Sequence, residues 1–266
     1  MTTFKNLFNL FQKGNFNILA SKLICHSLVP IYKAYFDLLF FLKHKSPYNL
    51  SGIKVETNYK IAYDSLDHLF PWGTKRDNST NRSFVFAMDS ILRKEFPQEQ
   101  LGFLDLGCSG GQLVSDFKDI GYTSIGLEGS DYSLLRKRAN WKELANINLF
   151  TCDITKPFII NRNSKKLNFH LITAWEMLEH LRKDDLKLTF RNIINNLAIG
   201  GYFIASTSST SDIKTGIELH QIQWSNKKWR EFIAAEDNRL KAVNLPIKYY
   251  QYVRYDQKSF LTYRKI

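Results

Sequence analysis

FLDLGCSGGQ, at Phe103–Gln112, is the stretch that decides how the whole sequence is interpreted. Its apolar first half predicts a short strand over Gly102–Leu106, and its glycines predict a tight turn before a helix that begins near Gly111. Such glycines let the backbone turn sharply and let a ligand approach without a Cβ in the way. The first amides of the helix would then point at that ligand. A plain strand-to-helix turn is the alternative, because short glycine motifs also occur by chance.

The chain after this turn alternates between predicted strands and predicted helices. This alternation predicts an α/β fold with a mostly parallel sheet that is covered by helices on both faces. Gly200 and Gly201 should end one helix and open the next strand. Further strands are predicted at Thr123–Leu127, Ile147–Thr151, Phe169–Ala174, Tyr202–Ser206 and within Ile247–Lys265, and further helices at Ser83–Phe96, Gln112–Ile120, Tyr132–Ala145, Lys183–Leu197 and Ser225–Ala235, the last with Ser225 as its N-cap.

The composition indicates a folded, basic protein. The 266 residues include 37 Lys and Arg against 25 Asp and Glu, which gives a formal net charge of +12. Such an excess points to an anionic partner, whether a phosphate-bearing substrate, a membrane surface or a nucleic acid. Nucleic acid is the less favoured of these, since no zinc-finger, helix-turn-helix or RNA-recognition signature is present. Cys25, Cys108 and Cys152 are far apart, which predicts no disulfide framework and a reducing, cytoplasmic location.

Residues 1–50 differ from the rest of the chain and predict a helical extension before a main domain at 51–266. The extension is apolar, aromatic and rich in lysine, and Pro30 should separate two helices, of which the second covers Ile31–Leu42. No run is long and apolar enough to span a bilayer. Residues 1–45 would therefore either lie on the anionic inner face of a membrane or pack as a helical extension on protein.

The polar, turn-rich stretch at 46–82 predicts a loop in front of the core. Loops in this position can cover an active site, so its aromatic and ionisable groups are candidates for contact with a substrate. A solvated surface loop is the alternative. The candidate substrate residues are His68, Trp72, Lys75 and Arg76.

The residues that follow successive predicted strands carry the chemistry, because ligands bind at the carboxyl ends of the strands in an open α/β sheet. Glu128 follows the second strand, 23 positions beyond Asp105, and could accept hydrogen bonds from both hydroxyls of a ribose. Asp153 follows the third strand and could receive the amino group of an adenine. WEMLEHL, at Trp175–Leu181, follows the fourth.

In this arrangement the sequence resembles the class I S-adenosylmethionine-dependent methyltransferases over about residues 60–266. The family's D-x-G-x-G-x-G motif maps onto Asp105, Gly107, Ser109 and Gly111, with a serine in place of the middle glycine. The resemblance implies a Rossmann-like, mostly parallel seven-stranded sheet and S-adenosylmethionine as cofactor. A nicotinamide-binding fold, which more often shows G-x-G-x-x-G, is the main competitor. The resemblance implies that the cofactor is bound by Asp105, Gly107, Cys108, Ser109, Gly111, Glu128, Gly129, Asp153, Ile154, Trp175 and Glu176.

A general base would assist methyl transfer to a hydroxyl group by removing its proton. His180 is the first candidate for this base, His220 is the second, and Glu179 is a further candidate catalytic residue. Each histidine could instead be a satisfied structural residue. The string Glu176-x-x-Glu179-His180 with His220 also resembles the metal site of small-RNA 2'-O-methyltransferases. Because similar strings occur in metal-free sugar methyltransferases, the prediction is that no metal is bound.

Several local strings, such as GLEGSDYS and HQIQWSNKKW, look similar to bacterial methyltransferases linked to surface-polysaccharide synthesis. The sequence therefore predicts O-methylation of a sugar, a glycan or a similar small hydroxylated acceptor. Two alternatives remain. The first is a metal-assisted RNA 2'-O-methyltransferase, and the second is a membrane-bound scaffold that binds the cofactor without catalysis.

Overall fold

The computed structural model describes residues 30–42, 52–254 and 259–266. The chain divides into two units, Met1–His44 and Lys45–Ile266. In the first unit, residues 30–42 form one helix, as predicted, and the first predicted helix lies outside the described residues. No helix within the described ranges has the length and apolar character needed to cross a bilayer.

The second unit contains the strands and the remaining helices. The strands are β1 (Ile53–Glu56), β2 (Gly102–Leu106), β3 (Thr123–Glu128), β4 (Leu149–Thr151), β5 (Ile159–Arg162), β6 (Lys165–Lys166), β7 (Phe169–Trp175), β8 (Leu197–Ser206), β9 (Ile213–Lys214), β10 (Ile217–Glu218), β11 (Leu240–Ala242) and β12 (Phe260–Lys265). The helices are α1 (residues 30–42), α2 (Leu66–Leu69), α3 (Trp72–Arg76), α4 (Arg82–Glu95), α5 (Gln112–Asp119), α6 (Tyr132–Leu135), α7 (Trp141–Leu144), α8 (Leu186–Asn196) and α9 (Asn226–Glu236), with short 3-10 helices at Leu178–His180, Lys183–Asp185 and Tyr249–Gln251.

Seven strands form the central sheet in the order β11-β12-β8-β7-β2-β3-β4. The five strands β8, β7, β2, β3 and β4 are parallel to one another. At one edge, β12 pairs antiparallel with β8, and β11 pairs antiparallel with β12. All residues of β2, β3 and β7 are buried, as expected for parallel strands that are covered on both faces. The predicted mostly parallel, seven-stranded sheet is confirmed.

Helices cover both faces of this sheet, and alternate residues of β2 show how. Phe103 stacks on Phe117 of α5 at 4.0 Å between ring centroids, and Phe84 of α4 meets Phe117 edge-on. Leu104 points to the opposite face, where it belongs to the cluster that contains Phe190 of α8 and Trp229 of α9. The centre of the sheet is therefore packed on both faces, and the carboxyl ends of these central strands border the site.

Three predicted boundaries were wrong for identifiable reasons. The helix predicted over Tyr132–Ala145 is two short helices, because Lys137 and Ala139 adopt left-handed backbone conformations. Strand β8 begins at Leu197, and Gly200 lies inside it with φ of 78° instead of ending a helix. The segment at 46–82, predicted as a loop, contains β1, α2 and α3 where it is described.

The predicted N-cap of α9 is confirmed. The hydroxyl of Ser225 accepts a hydrogen bond from the Lys228 amide.

Candidate active site

A cavity of about 620 Å³ lies at the carboxyl ends of the parallel strands. This is where ligands bind in open α/β sheets, and the volume lies within the range of about 300–1,000 Å³ that is typical of ligand pockets. Four neighbouring strands, β2, β3, β4 and β7, each contribute a pair of residues from the end of the strand or from the turn that follows it. These pairs are Gly107 and Ser109, Glu128 and Gly129, Asp153 and Ile154, and Trp175 and Glu176.

Three of the eleven predicted cofactor residues lie behind the cavity wall. Asp105 is buried and accepts a hydrogen bond from the Thr173 hydroxyl at 2.6 Å, and burial raises the pKa of its carboxyl to about 7. A Cβ on Gly126 would collide with the side chain of Cys108, and a Cβ on Gly111 would collide with Leu149. Cys108 and Gly111 therefore serve the packing of the turn, and neither lines the cavity.

Gly107 is the turn glycine that does face the cavity. Its φ is 73°, a conformation that residues with a Cβ rarely adopt. A Cβ at this position would lie 2.8 Å from Cγ of Met177, which lines the cavity as well. Its backbone amide donates to the Leu127 carbonyl at 2.8 Å, so that the turn is tied to β3. A side chain at position 107 would close part of the cavity.

Ser109 holds the glycine turn to the segment that follows α3. Its φ is 47°, which is costly for a residue with a side chain and is common at functional sites. Its hydroxyl donates to the Asp77 carbonyl at 2.8 Å and accepts from the Arg138 guanidinium at 2.9 Å. Arg138 also donates to the same Asp77 carbonyl. The serine in place of the middle glycine of the motif therefore has a structural use that the sequence pattern did not reveal.

Glu128 presents a carboxylate at the wall of the cavity. Its two oxygens accept hydrogen bonds from the backbone amides of Ser109, at 2.8 Å, and Ser130, at 3.3 Å. Burial raises the pKa of this carboxyl to about 7, and these hydrogen bonds oppose the rise. Asp153, beyond β4, keeps its carboxylate in place through the amide and hydroxyl of Thr155. Both predicted carboxylates thus lie on one cavity.

Glu176 occupies the strained end of β7. Its φ is 49°, and its backbone amide donates to the carbonyl and the hydroxyl of Ser206, both at 3.2 Å. A left-handed non-glycine residue costs about 1–3 kcal/mol, so the surrounding structure must hold it in place. Trp175 beside it packs edge-on against Phe84 at 5.2 Å. The chain therefore changes direction sharply at this end of β7, where it lines the cavity.

Three segments outside the sheet form most of the rest of the wall. The first, before α4, is pinned across the strand ends, since the Tyr59 carbonyl accepts from the Asp153 amide and the Ala62 amide donates to the Gly129 carbonyl, both at 2.9 Å. The second follows β7, and the third leads from β8 through the β9–β10 hairpin. Polar side chains dominate this part of the wall: Asp64, Ser65, Asp67, His180, Arg182, Ser208, Thr210, Ser211, Asp212, His220 and Gln221.

His180 forms an ion pair that makes it a poor general base. Its Nδ1 lies 3.2 Å from Oδ1 of Asp67, close enough for an ion pair but poorly aligned for a hydrogen bond. Burial lowers the pKa of His180, but the Asp67 carboxylate raises it more, to about 9. The imidazole is therefore protonated near neutral pH and has no lone pair with which to accept a proton. We accordingly rank His180 below His220 as the base.

His220 has the tautomer that a general base needs. Its Nδ1 lies 2.5 Å from the Thr210 carbonyl oxygen, which can only accept, so Nδ1 carries the hydrogen and Nε2 the lone pair. Its backbone amide donates to Glu218 at 2.9 Å. The ring meets that of His180 edge-on, with 4.8 Å between centroids. The hydrogen bond to Thr210 and the contact with His180 fix the orientation of the His220 ring within the cavity wall.

Glu179 lies behind the wall, fully buried. Its carboxylate accepts from the Ser208 amide at 2.7 Å, and its carbonyl accepts from the Ile222 amide at 3.0 Å. Burial, reinforced by the neighbouring Glu176, raises the pKa of this carboxyl to about 8. Glu179 therefore holds the two chain segments that flank His220, and we do not carry its predicted role as a catalytic residue further.

The four candidate substrate residues are outside the cavity wall. The Arg76 guanidinium and the Lys75 ammonium lie over the Trp72 ring, at 5.1 and 5.7 Å from its centroid. Nδ1 of His68 is 3.7 Å from Asp131. Gly73 and Thr74, which lie between Trp72 and Lys75 in the chain, do line the cavity. The side chains of Trp72, Lys75 and Arg76 therefore lie near it.

No group of three or more His, Cys, Asp and Glu side chains in the described ranges is arranged to hold a metal ion. Three of the four residues of the predicted metal string have other partners. Glu179 accepts from Ser208, Nδ1 of His220 donates to Thr210, and His180 pairs with Asp67. They are therefore not assembled as a ligand set here.

Asp67→Asn is expected to lower the midpoint of thermal unfolding by about 2–4 °C at pH 6 and to have little effect at pH 10. The reason is that the pKa of His180 is raised in the folded protein to about 9. The ion pair therefore stabilises fully below the ordinary histidine pKa of about 6.5, and its contribution is lost as the pH rises through 9. Asp184→Asn, at an exposed aspartate, is the control. A difference of equal size at both pH values would contradict this account.

The comparison with known protein families gives one match, to a methyltransferase domain, over residues 79–246. No curated protein matches the sequence. Among solved structures, the CcbJ methyltransferase from Streptomyces caelestis is 14% identical with a TM-score of 0.49, over 77% of this chain and 98% of that one. DesVI from Streptomyces venezuelae is 14% identical with a TM-score of 0.47, over 79% and 100% of the two chains. CalS10, an amino pentose methyltransferase from Micromonospora echinaspora, is 12% identical with a TM-score of 0.47, over 79% and 99%.

Proposed function

The chain belongs to this family of methyltransferase domains, and we propose that it methylates a hydroxyl group of a sugar or a similar small acceptor. Its cofactor is S-adenosylmethionine. When bound, this cofactor supplies an electrophilic methyl group that a nucleophile can take from the sulfur. The protein then has to bind the cofactor, orient an acceptor, exclude water and remove a proton.

The strand-end half of the cavity fits the cofactor. Glu128 offers carboxylate oxygens that can accept from ribose hydroxyls, and Asp153 offers an acceptor for the amino group of adenine. Gly107 leaves space next to Met177 that any Cβ would fill. We therefore assign the cofactor to the wall formed by these residues together with Ile154 and Trp175.

The other half of the cavity fits a polyhydroxylated acceptor. Its wall carries hydroxyl groups, carboxylates and an amide, which together can both donate and accept hydrogen bonds. Serine and threonine hydroxyls are supplied by Ser208, Thr210 and Ser211, and the amide is that of Gln221. Ser208 and Thr210 hydrogen-bond to each other, and Ser211 and Gln221 both donate to Glu218. A hydroxylated acceptor would use the lone pairs that these groups retain.

The observation that carries the proposal is the tautomer of His220. Because Nδ1 donates to the Thr210 carbonyl, Nε2 is free to take the proton of an acceptor hydroxyl. The protonated ring of His180, held by Asp67, lies edge-on to His220 and is available as a hydrogen-bond donor. The segment pinned to Gly129 and Asp153 lies over the strand ends, where it shields this side of the cavity.

Methyl transfer from labelled S-adenosylmethionine to nucleotide sugars and purified glycans tests this function. We expect label in at least one hydroxylated acceptor and full activity in EDTA. Transfer to RNA that EDTA abolishes would favour the metal-assisted alternative. Binding of S-adenosylhomocysteine without transfer to any acceptor would favour the non-catalytic scaffold. The attachment of residues 1–45 to a membrane stays a prediction, because most of that segment lies outside the described residues.

A further inference from the structure

Three cations and two aromatic rings form a contiguous cluster on helices α3 and α6. The Lys75 ammonium lies between two rings, 5.7 Å from the centroid of Trp72 and 5.5 Å from that of Tyr132. The Arg76 guanidinium is 5.1 Å from the Trp72 ring, and that of Arg136 is 5.7 Å from the Tyr132 ring. We call these five residues the cationic aromatic cluster.

The positive charges of this cluster are not neutralised by neighbouring carboxylates. Within the part of the chain that the structure describes, no ion pair joins Lys75, Arg76 or Arg136 to an Asp or Glu, and all three are exposed. Cations of the cavity wall differ in this respect, since Arg254 pairs with Asp77 at 2.8 Å. The aromatic faces attract the cations but carry no net charge. The cluster therefore keeps a local charge of +3 for a ligand.

The cluster lies at the rim of the active-site cavity. Helix α3 contributes Gly73 and Thr74 to the cavity wall, and their immediate neighbours Trp72 and Lys75 belong to the cluster. On the other side, Tyr132 begins α6 only three residues after Gly129, another residue of the wall. A ligand in the cavity that extends past α3 would therefore reach the cationic aromatic cluster.

We propose that the cationic aromatic cluster binds a phosphate or diphosphate group carried by the small acceptor whose hydroxylated part occupies the cavity. This inference rests on the proposed function. Arginine guanidinium groups match phosphate oxygens in a bidentate manner, and lysine adds a compact charge. The rings hold the cations in place and reduce the entropy lost on binding. A neutral sugar would gain little from three unpaired cations, whereas a phosphorylated acceptor uses all of them.

Titration calorimetry with inorganic pyrophosphate tests the cluster directly. We compare the full-length protein, the double variant Lys75→Gln/Arg136→Gln, and the control Arg191→Gln/Lys228→Gln, which removes one lysine and one arginine from exposed positions on α8 and α9. We expect the cluster variant to bind pyrophosphate about tenfold more weakly than the full-length protein and the control, which should not differ. All three should bind S-adenosylhomocysteine equally.

Several outcomes would overturn the proposal. These are no binding of pyrophosphate by the full-length protein at about 10 mM, equal weakening in the control, and no weakening in the cluster variant. Two further results would overturn the proposal if the full-length protein does not bind pyrophosphate. Flotation with phosphatidylglycerol vesicles that depends on the cluster would show that the cluster binds a bilayer surface. Binding of a short single-stranded RNA that depends on the cluster would show that it binds RNA. Failure of the full-length protein to bind S-adenosylhomocysteine would refute the proposed function instead, because pyrophosphate is titrated without the cofactor.

Discussion

His220→Asn is expected to lower kcat by about 10²- to 10⁴-fold, the usual contribution of general-base catalysis. The asparagine amide can still donate to the Thr210 carbonyl, as Nδ1 of the histidine does at 2.5 Å, so the local structure is kept. What is lost is the lone pair on Nε2. The measurement is steady-state kinetics with a hydroxylated acceptor, and calorimetry with S-adenosylhomocysteine should give an unchanged affinity.

The comparison of kcat with cofactor affinity separates a general base from a structural histidine. His220→Asn should lower kcat and leave the affinity for S-adenosylhomocysteine unchanged, whereas the loss of a structural contact would lower both. If its kcat stays within about threefold of the original, the proton is removed by another group and our assignment of His220 is wrong.

Glu128→Gln is expected to weaken the binding of S-adenosylhomocysteine by about 1–3 kcal/mol, or roughly 5- to 150-fold. The substitution keeps the size of the side chain but removes the charge that, in our proposal, receives the ribose hydroxyls. One oxygen also becomes an amide nitrogen, so one of the two hydrogen bonds from the backbone amides of Ser109 and Ser130 is lost. Calorimetry measures the loss, and Glu143→Gln at an exposed site is the matched control.

The affinity for S-adenosylhomocysteine should also depend on pH through Glu128. Its pKa is raised by burial to about 7, and in our proposal the ribose hydroxyls donate to the ionised form. Binding therefore favours loss of the proton, so the affinity should rise between pH 6 and pH 8. The rise should be smaller in Glu128→Gln, where only groups such as Asp105, also with a pKa of about 7, still titrate. Identical pH dependence in both proteins would rule out Glu128 as the residue responsible.

The sheet and the cofactor half of the cavity follow from local sequence patterns. A strand that is buried on both faces is apolar along its length, so β2 and β7 could be identified from composition alone. Parallel strands bring their carboxyl ends to one edge, so Glu128 and Asp153 could be expected on one wall. These inferences succeed because each depends on residues a few positions apart.

The acceptor half of the cavity depends on contacts between distant segments, which no pattern encodes. The pKa of His180 is set by Asp67, 113 positions earlier in the chain. The sequence ranked His180 first as the base because that partner could not be seen. Likewise, a glycine that lines the cavity, such as Gly107, looks the same in sequence as Gly111, which makes room for the side chain of Leu149.

The two halves of the cavity also differ in how freely they can change. The cofactor wall is made of strand ends, so altering it means altering the sheet that folds the domain. The acceptor wall comes from the stretch around α2 and α3, from the turn that carries His180 and from the hairpin that precedes His220, all of which lie outside the central sheet. The stretch around α3 also holds the Ser109 turn through the Asp77 carbonyl, so its exchange would disturb the cofactor wall. Exchange of the hairpin between relatives is therefore expected to redirect the enzyme to another acceptor without a change in the sheet.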